Sequence, residues 1–81
     1  MKLSITGLHP VTGSWVVLQL VEMGNEITAD EISEAIEGYS GLIKTLMTKE
    51  PSSGIQMNLS QPGRKIIFDP RKFLAIEVTI L

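Results

Sequence analysis

Four basic residues form the one group in this sequence whose types and positions suit a charged ligand. Arg64 and Lys65 follow one predicted turn, and Arg71 and Lys72 lie in the next. A guanidinium fork matches the spacing of phosphate oxygens, so these residues predict a site for an anionic, nucleotide-like molecule. The same residues are also explained as charges that keep two turns in water.

The order of the two basic pairs favours a site that is shared between subunits. If the last two predicted strands pair antiparallel, the two pairs lie at opposite ends of that hairpin and diverge within one subunit. In an oligomer, Arg64 of one copy could instead face Arg71 of the next. Trp15 and Tyr39 are candidate stacking partners for the ligand, although Trp15, like Phe68, is better explained as a core or interface anchor.

The reactive side chains do not assemble into a catalytic motif. His9 is the sole histidine and there is no cysteine, whereas zinc sites usually take several such ligands. The sequence contains no G-x-S-x-G element and no glycine-rich phosphate fingerprint. We therefore expect no enzyme activity, no cofactor and no metal. His9, before Pro10, is expected to hydrogen-bond locally, and a hydrolase that uses His9 with a serine or Asp69 is the remaining catalytic hypothesis.

Composition indicates a single α+β domain that spans residues 1–81. The chain is 43% hydrophobic and 20% charged, which is typical of a globular protein, and its net charge of −2 provides no general attraction for nucleic acid. The absence of cysteine gives no reason to expect an oxidising compartment. We see no signal peptide and no apolar run near the roughly 20 residues of a membrane span. A cytoplasmic protein without membrane contact is expected.

The helix has the strongest sequence signal. Thr28 and Glu31 have the spacing of a capping box, so a helix is predicted to begin at about Ala29. Apolar residues then recur every three or four positions. Gly38 and Gly41 interrupt the pattern, and they indicate a kink, a break or the close approach of another backbone, although simple tolerance on an exposed helix face explains them better. The acids of this segment, which we attribute to the helix dipole and a solvated face rather than to catalysis, are Asp30, Glu31, Glu34 and Glu37.

Strands are predicted on both sides of this helix, which gives the order β-β-α-β-β-β and a largely antiparallel sheet. The second strand is apolar at both parities, which is typical of a central strand covered on both faces. The predicted strands are a short first strand at 2–6, then 15–23, 55–60, 65–68 and 73–81.

Residues 73–81 predict self-association, because both faces of that strand are mostly apolar. One helix covers one face of a sheet, so the other face would have to meet a second copy or a partner. A chain of 81 residues is also close to the size at which one core is barely sufficient. A homo-oligomer is therefore expected.

Residues 63–78 resemble an element of small phage and prophage proteins. This element is a strand, an Asn/Asp-Pro turn with basic residues, and a strand of the Ile-x-x-Ile-Glu type, here written GRKIIFDPRKFLAIEV. The resemblance implies a mobile-element product, in a class that includes stoichiometric inhibitors, ligand-sequestering proteins and regulators. It assigns no functional residue, and the acidic balance and missing helix-turn-helix depart from the regulators that bind DNA.

These observations predict a small homo-oligomeric binding protein without catalytic turnover. It would sequester an anionic small molecule or block a host protein. The alternative is a nucleic-acid-binding or transcription regulator that acts through a basic strand edge.

Overall fold

The computed structural model describes residues 1–48 and 65–81, and these form an α+β fold. In the described ranges, two strands precede a long helix and one strand follows it, with a short 3-10 helix before that last strand. The elements are β1 (Lys2–Leu8), β2 (Trp15–Glu22), α1 (Ala29–Met47), a 3-10 helix (Pro70–Lys72) and β3 (Ile76–Ile80).

The sheet has the order β2-β1-β3, and both pairings are antiparallel. Among the described residues, β2 lies at the edge of the sheet and β1 lies between its neighbours, so the prediction that the second strand is central is not confirmed. Apolar residues at both parities indicate that both faces of a strand are apolar, but they do not indicate how many strands pair with it. Ser4 demonstrates the central position of β1, because it is 3% exposed between Leu20 and Thr79.

A bulge divides β2. Ile5 pairs with Gln19 and Thr6 pairs with Val17, which leaves Leu18 as an extra residue. We call the side of the sheet that carries Leu3 and Ile5 the inner face, and the side that carries Ser4 and Thr6 the outer face. The cross-strand pairs place Val21, Gln19, Val78 and Ile80 on the inner face, and Leu20, Val17, Glu77 and Thr79 on the outer face.

Helix α1 begins where the sequence predicts. The Thr28 hydroxyl accepts a hydrogen bond from the Glu31 backbone N–H at 3.2 Å and donates one to the Glu31 carboxylate at 3.1 Å. The helix continues through Gly38 and Gly41 to Met47, so the predicted break is wrong. At Gly41 the helix surface is open, since nothing lies within 4 Å of where a Cβ would sit.

The core forms between α1 and the inner face. Its most buried side chains, in the described part of the chain, are Leu3, Ile5, Tyr39, Leu42, Ile43, Leu46 and Ile66. Burying an aliphatic side chain of this size stabilises a fold by about 1.5–3 kcal/mol. The helix stripe and the inner-face side chains of β1 therefore supply the main apolar contact that holds the described elements together.

Residues 65–68 do not form the strand that the sequence predicts. Their backbone is bonded by the Gln19 side chain, whose amide nitrogen donates to the Lys65 carbonyl at 2.8 Å and whose oxygen accepts from the Ile67 N–H at 3.1 Å. A glutamine amide offers the same donor and acceptor as a peptide group, so one side chain replaces a neighbouring strand. This anchoring places Ile66 in the core with no exposed surface.

The predicted order with five strands is not confirmed. The structure has three strands in its described ranges, and the predicted strand at 55–60 lies outside them. The last strand is shorter than predicted and alternates cleanly, with Ile76 and Val78 packed against the core while Glu77 and Thr79 are exposed. The apparent apolar character of the second face came from Phe73 and Ala75, which precede β3, and from Leu81, which follows it.

Gly7 and Gly41 predict opposite effects of the same substitution. A Cβ at Gly7 would lie 2.6 Å from Leu18 Cδ1 and 2.9 Å from the Phe73 ring, so we expect Gly7→Ala to destabilise the fold by about 1–3 kcal/mol. Gly41→Ala meets open space and should stabilise it by up to about 1 kcal/mol. Urea unfolding followed by circular dichroism measures both changes. Equal effects of the two variants would contradict this account of the β1 surface.

Candidate interaction surface

Arg71 is bound to a carboxylate two residues before it. Its Nε donates to Asp69 Oδ1 at 3.1 Å and its Nη2 donates to Asp69 Oδ2 at 3.4 Å. Asp69 Oδ1 also accepts the Arg71 backbone N–H at 3.0 Å, which caps the 3-10 helix that starts at Pro70. The predicted turn that contains Arg71 and Lys72 is therefore a single helical turn with Asp69 as its cap. The guanidinium fork is already occupied by a carboxylate.

The electrostatics of this pair follow from its partial burial. The two side chains are 18% and 22% exposed. The side-chain hydrogen bond from Arg71 lowers the pKa of Asp69 below its usual value, and partial burial opposes that shift. The pair therefore stays ionised at neutral pH and stabilises the turn.

The other predicted ligand contacts lie in different environments. Lys65 and Lys72 are exposed, and Arg64 lies outside the described residues, so its meeting with Arg71 of another copy stays a prediction. Tyr39 is 6% exposed and packs in the core, which corrects its assignment as a stacking partner because a buried ring has no free face. Trp15 is 47% exposed at the start of β2, so its ring is accessible.

His9 organises the turn between β1 and β2, as expected from its position before Pro10. Its Nδ1 accepts hydrogen bonds from the backbone N–H groups of Val11 and Thr12 at 3.1 and 3.3 Å. The ring also meets Phe73 edge to face, with centroids 6.5 Å apart. Because Nδ1 serves as an acceptor for the backbone, this nitrogen is a structural group.

The acids of α1 lie on its exposed side, in line with their dipole and solvation role. Within residues 1–48 and 65–81, no three His, Cys, Asp or Glu side chains come together in a way that would hold a metal ion. The carboxylates Asp30, Glu34 and Glu37 are all exposed.

An exposed apolar strip on the outer face is the surface that the sequence interpretation missed. Trp15, Val17 and Leu20 are 47%, 62% and 49% exposed, and all three lie on the outer side of β2. Contiguous apolar side chains on a folded surface are typical of interaction sites. The signal is present in residues 15–23, whose two apolar faces predict a central strand covered on both sides.

By structure, the described chain is a small α+β fold with exposed apolar side chains on one face of its sheet. Comparisons with protein-family models, with curated protein sequences and with solved structures gave no match. In the described residues, no helix is long and apolar enough to cross a membrane.

Replacing His9 tests its role as a turn cap. His9→Ala removes the acceptor for two backbone N–H groups and should destabilise the fold by about 1 kcal/mol. His9→Asn supplies a side-chain oxygen at a similar position, as asparagine does in many turns, and should retain most of the stability. Chemical denaturation of the three proteins in parallel measures the difference. If His9→Ala were as stable as the parent protein, the capping role would be wrong.

The Asp69 ion pair predicts a pH dependence of stability. Because the pKa of Asp69 is lowered in the folded state, its contribution is fully present above the usual carboxyl value of about 3.9 and is lost as pH falls through the lower folded value. The difference in unfolding free energy between the parent protein and Asp69→Asn should be constant from about pH 7 to 5 and should narrow below about pH 4. Glu77→Gln, which changes an exposed acid on β3, is the control. A difference that widens at low pH would contradict this assignment.

Proposed function

We propose that this chain is a small, homo-oligomeric binding protein without catalytic turnover, and that it acts by covering a surface of another protein. The observation that carries the proposal is the exposed outer strip of Trp15, Val17 and Leu20. Large apolar and aromatic side chains at an accessible site are the usual anchors of protein interfaces.

The anion-binding version of this function has less structural support. Arg71 is engaged by Asp69 through two side-chain hydrogen bonds, and Tyr39 is buried in the core. An incoming phosphate would have to displace a carboxylate that already satisfies the guanidinium fork. Lys65 and Lys72 are exposed, but single ammonium groups on a surface are weakly selective for anions. We therefore favour a protein partner over a nucleotide-like ligand.

The proposal also accounts for why the strip is apolar without being part of the core. The inner face is covered by α1, whereas Val17 and Leu20 point away from the helix. Polar side chains at these two positions would cost the subunit little stability. Apolar residues there are useful for contact with another surface.

Site-specific photo-crosslinking in the cells that make this protein tests the proposal. A photoreactive residue at Leu20 should give a discrete adduct with a second protein, identified by mass spectrometry, because Leu20 is an exposed member of the strip. The same residue at Glu34, on the exposed side of α1, is the matched control and should give no such adduct. Val17→Thr in the Leu20 variant should weaken the adduct.

The outcome against the proposal is also specific. If position 20 yields adducts only with other copies of this chain, or the same set of proteins as position 34, the strip does not cover a partner protein.

A further inference from the structure

Strand β2 has one edge bonded to β1 and one edge without a strand beside it in the described residues. The Met23 N–H donates to the Met1 carbonyl at 2.9 Å, and the His9 N–H donates to the Ser14 carbonyl at 2.9 Å. These two bonds, at opposite ends of the hairpin, fix which residues of β2 direct their backbone groups towards β1. Antiparallel ladders alternate, so the remaining residues direct theirs away.

The residues whose backbone groups point to the open edge also carry the outer-face side chains. Val21 and Gln19 share the parity of Met23, and Val16 shares that of Ser14, so these three bond to β1. The outward set begins and ends with the two terminal residues of the strand and includes the exposed apolar pair. Its members are Trp15, Val17, Leu20 and Glu22.

The spacing of the four outward-pointing residues is the same when it is counted from either end of β2. Its intervals are two, three and two residues, because the bulge at Leu18 adds one residue in the middle of the strand. An edge bulge normally discourages pairing, since it shifts the alternation of one strand against the other. Here the bulge lies in the middle of β2, so in an antiparallel pair the bulge of the second copy lies beside the bulge of the first. This symmetry is what an isologous two-fold interface requires.

The side chains of the edge are complementary under the same two-fold pairing. Val17 of one copy would lie opposite Leu20 of the other, and both are exposed in the single chain. Trp15 would lie opposite Glu22, whose carboxylate can accept the indole N–H. Glu22 is the one charged residue of β2, and it does not meet its own copy in this register.

We propose that a second copy of this chain joins the open edge of β2, with Val17 paired to Leu20, so that two sheets become one continuous six-stranded sheet. The proposal rests on the self-association in the proposed function and specifies its geometry. An interface of about a tenth of the 5269 Å² surface, about 500 Å² per copy, lies near the lower limit for specific complexes, so a reversible dimer is expected. The two outer strips then lie side by side on one face.

Cysteine crosslinking tests the register, and the chain has no cysteine of its own. In the proposed pairing the Cα atoms of positions 17 and 20 are about 5.5 Å apart, within the range of a disulfide. Position 17 is about 10 Å along the strand from its own symmetry mate, beyond that range. Val17→Cys mixed with Leu20→Cys should therefore form a disulfide-linked dimer under mild oxidation. Each variant alone should form at least about fivefold less, since its thiols are not opposed.

Charge at the edge tests the interface without an oxidant. Val17→Lys places an ammonium group opposite Leu20 and should raise the dimer dissociation constant by at least about tenfold. Thr79→Lys adds the same charge to the same face at β3 and should leave it unchanged. Sedimentation velocity from micromolar to 100 micromolar, with circular dichroism to verify folding, measures both.

Each alternative outcome has a defined meaning. A parent protein that stays monomeric at about 100 micromolar overturns the dimer. A dimer that crosslinks as well through one cysteine variant as through the mixture overturns the register. Loss of association in Thr79→Lys but not in Val17→Lys moves the interface to β3. A monomeric parent protein would also remove self-association from the proposed function, whereas adducts of the outer strip with a partner protein would still be observable in a monomer, so the two failures are distinguishable.

Discussion

A sheet has two faces, and the described chain has one helix long enough to cover a face. Helix α1 packs its apolar stripe on the inner face, where Leu3 and Ile5 are completely buried. The outer face of the sheet is not covered by this helix. On β3 the outer positions are Glu77 and Thr79, which water solvates, whereas on β2 they are Val17 and Leu20. The outer face is therefore uneven, and its apolar half lies along one edge.

The inner face is completed by contacts that do not belong to regular secondary structure. Gln19 binds the backbone on both sides of Ile66, and this holds Ile66 in the core without a strand at that position. Gly7 leaves room for Leu18 and Phe73 to lie on the β1 backbone. Both devices occur near the bulge of β2, where the regular ladder is interrupted. The irregular part of the sheet is thus also the part that receives the chain returning towards β3.

The sequence predicts this fold unevenly, and the reason differs between elements. The capping pair at Thr28 and the apolar period of α1 are local signals, so the helix start could be predicted to the residue. The place of a strand in the sheet depends on distant pairing, and for this reason the position of β1 between the other described strands could not be predicted from its own residues. The segment after residue 64 has the composition of a strand, but a single glutamine side chain satisfies its backbone. The residues in these two contacts are separated by 46 and 48 positions in the sequence, so the contacts leave no local pattern.

The candidate site shows the same division between local and distant effects. The role of His9 was predictable because its partners are two and three residues away. The pairing of Arg71 with Asp69 was not predicted, although Asp69 stands two residues before Arg71 with Pro70 between them. Proline at the first position of a short helix fixes the backbone so that the preceding aspartate can cap it. The same geometry brings the carboxylate to the arginine. A basic residue that follows Asp-Pro should therefore be considered first as the partner of that aspartate. For this reason the proposed interaction surface is placed on the exposed apolar side chains of β2 and not on Arg71.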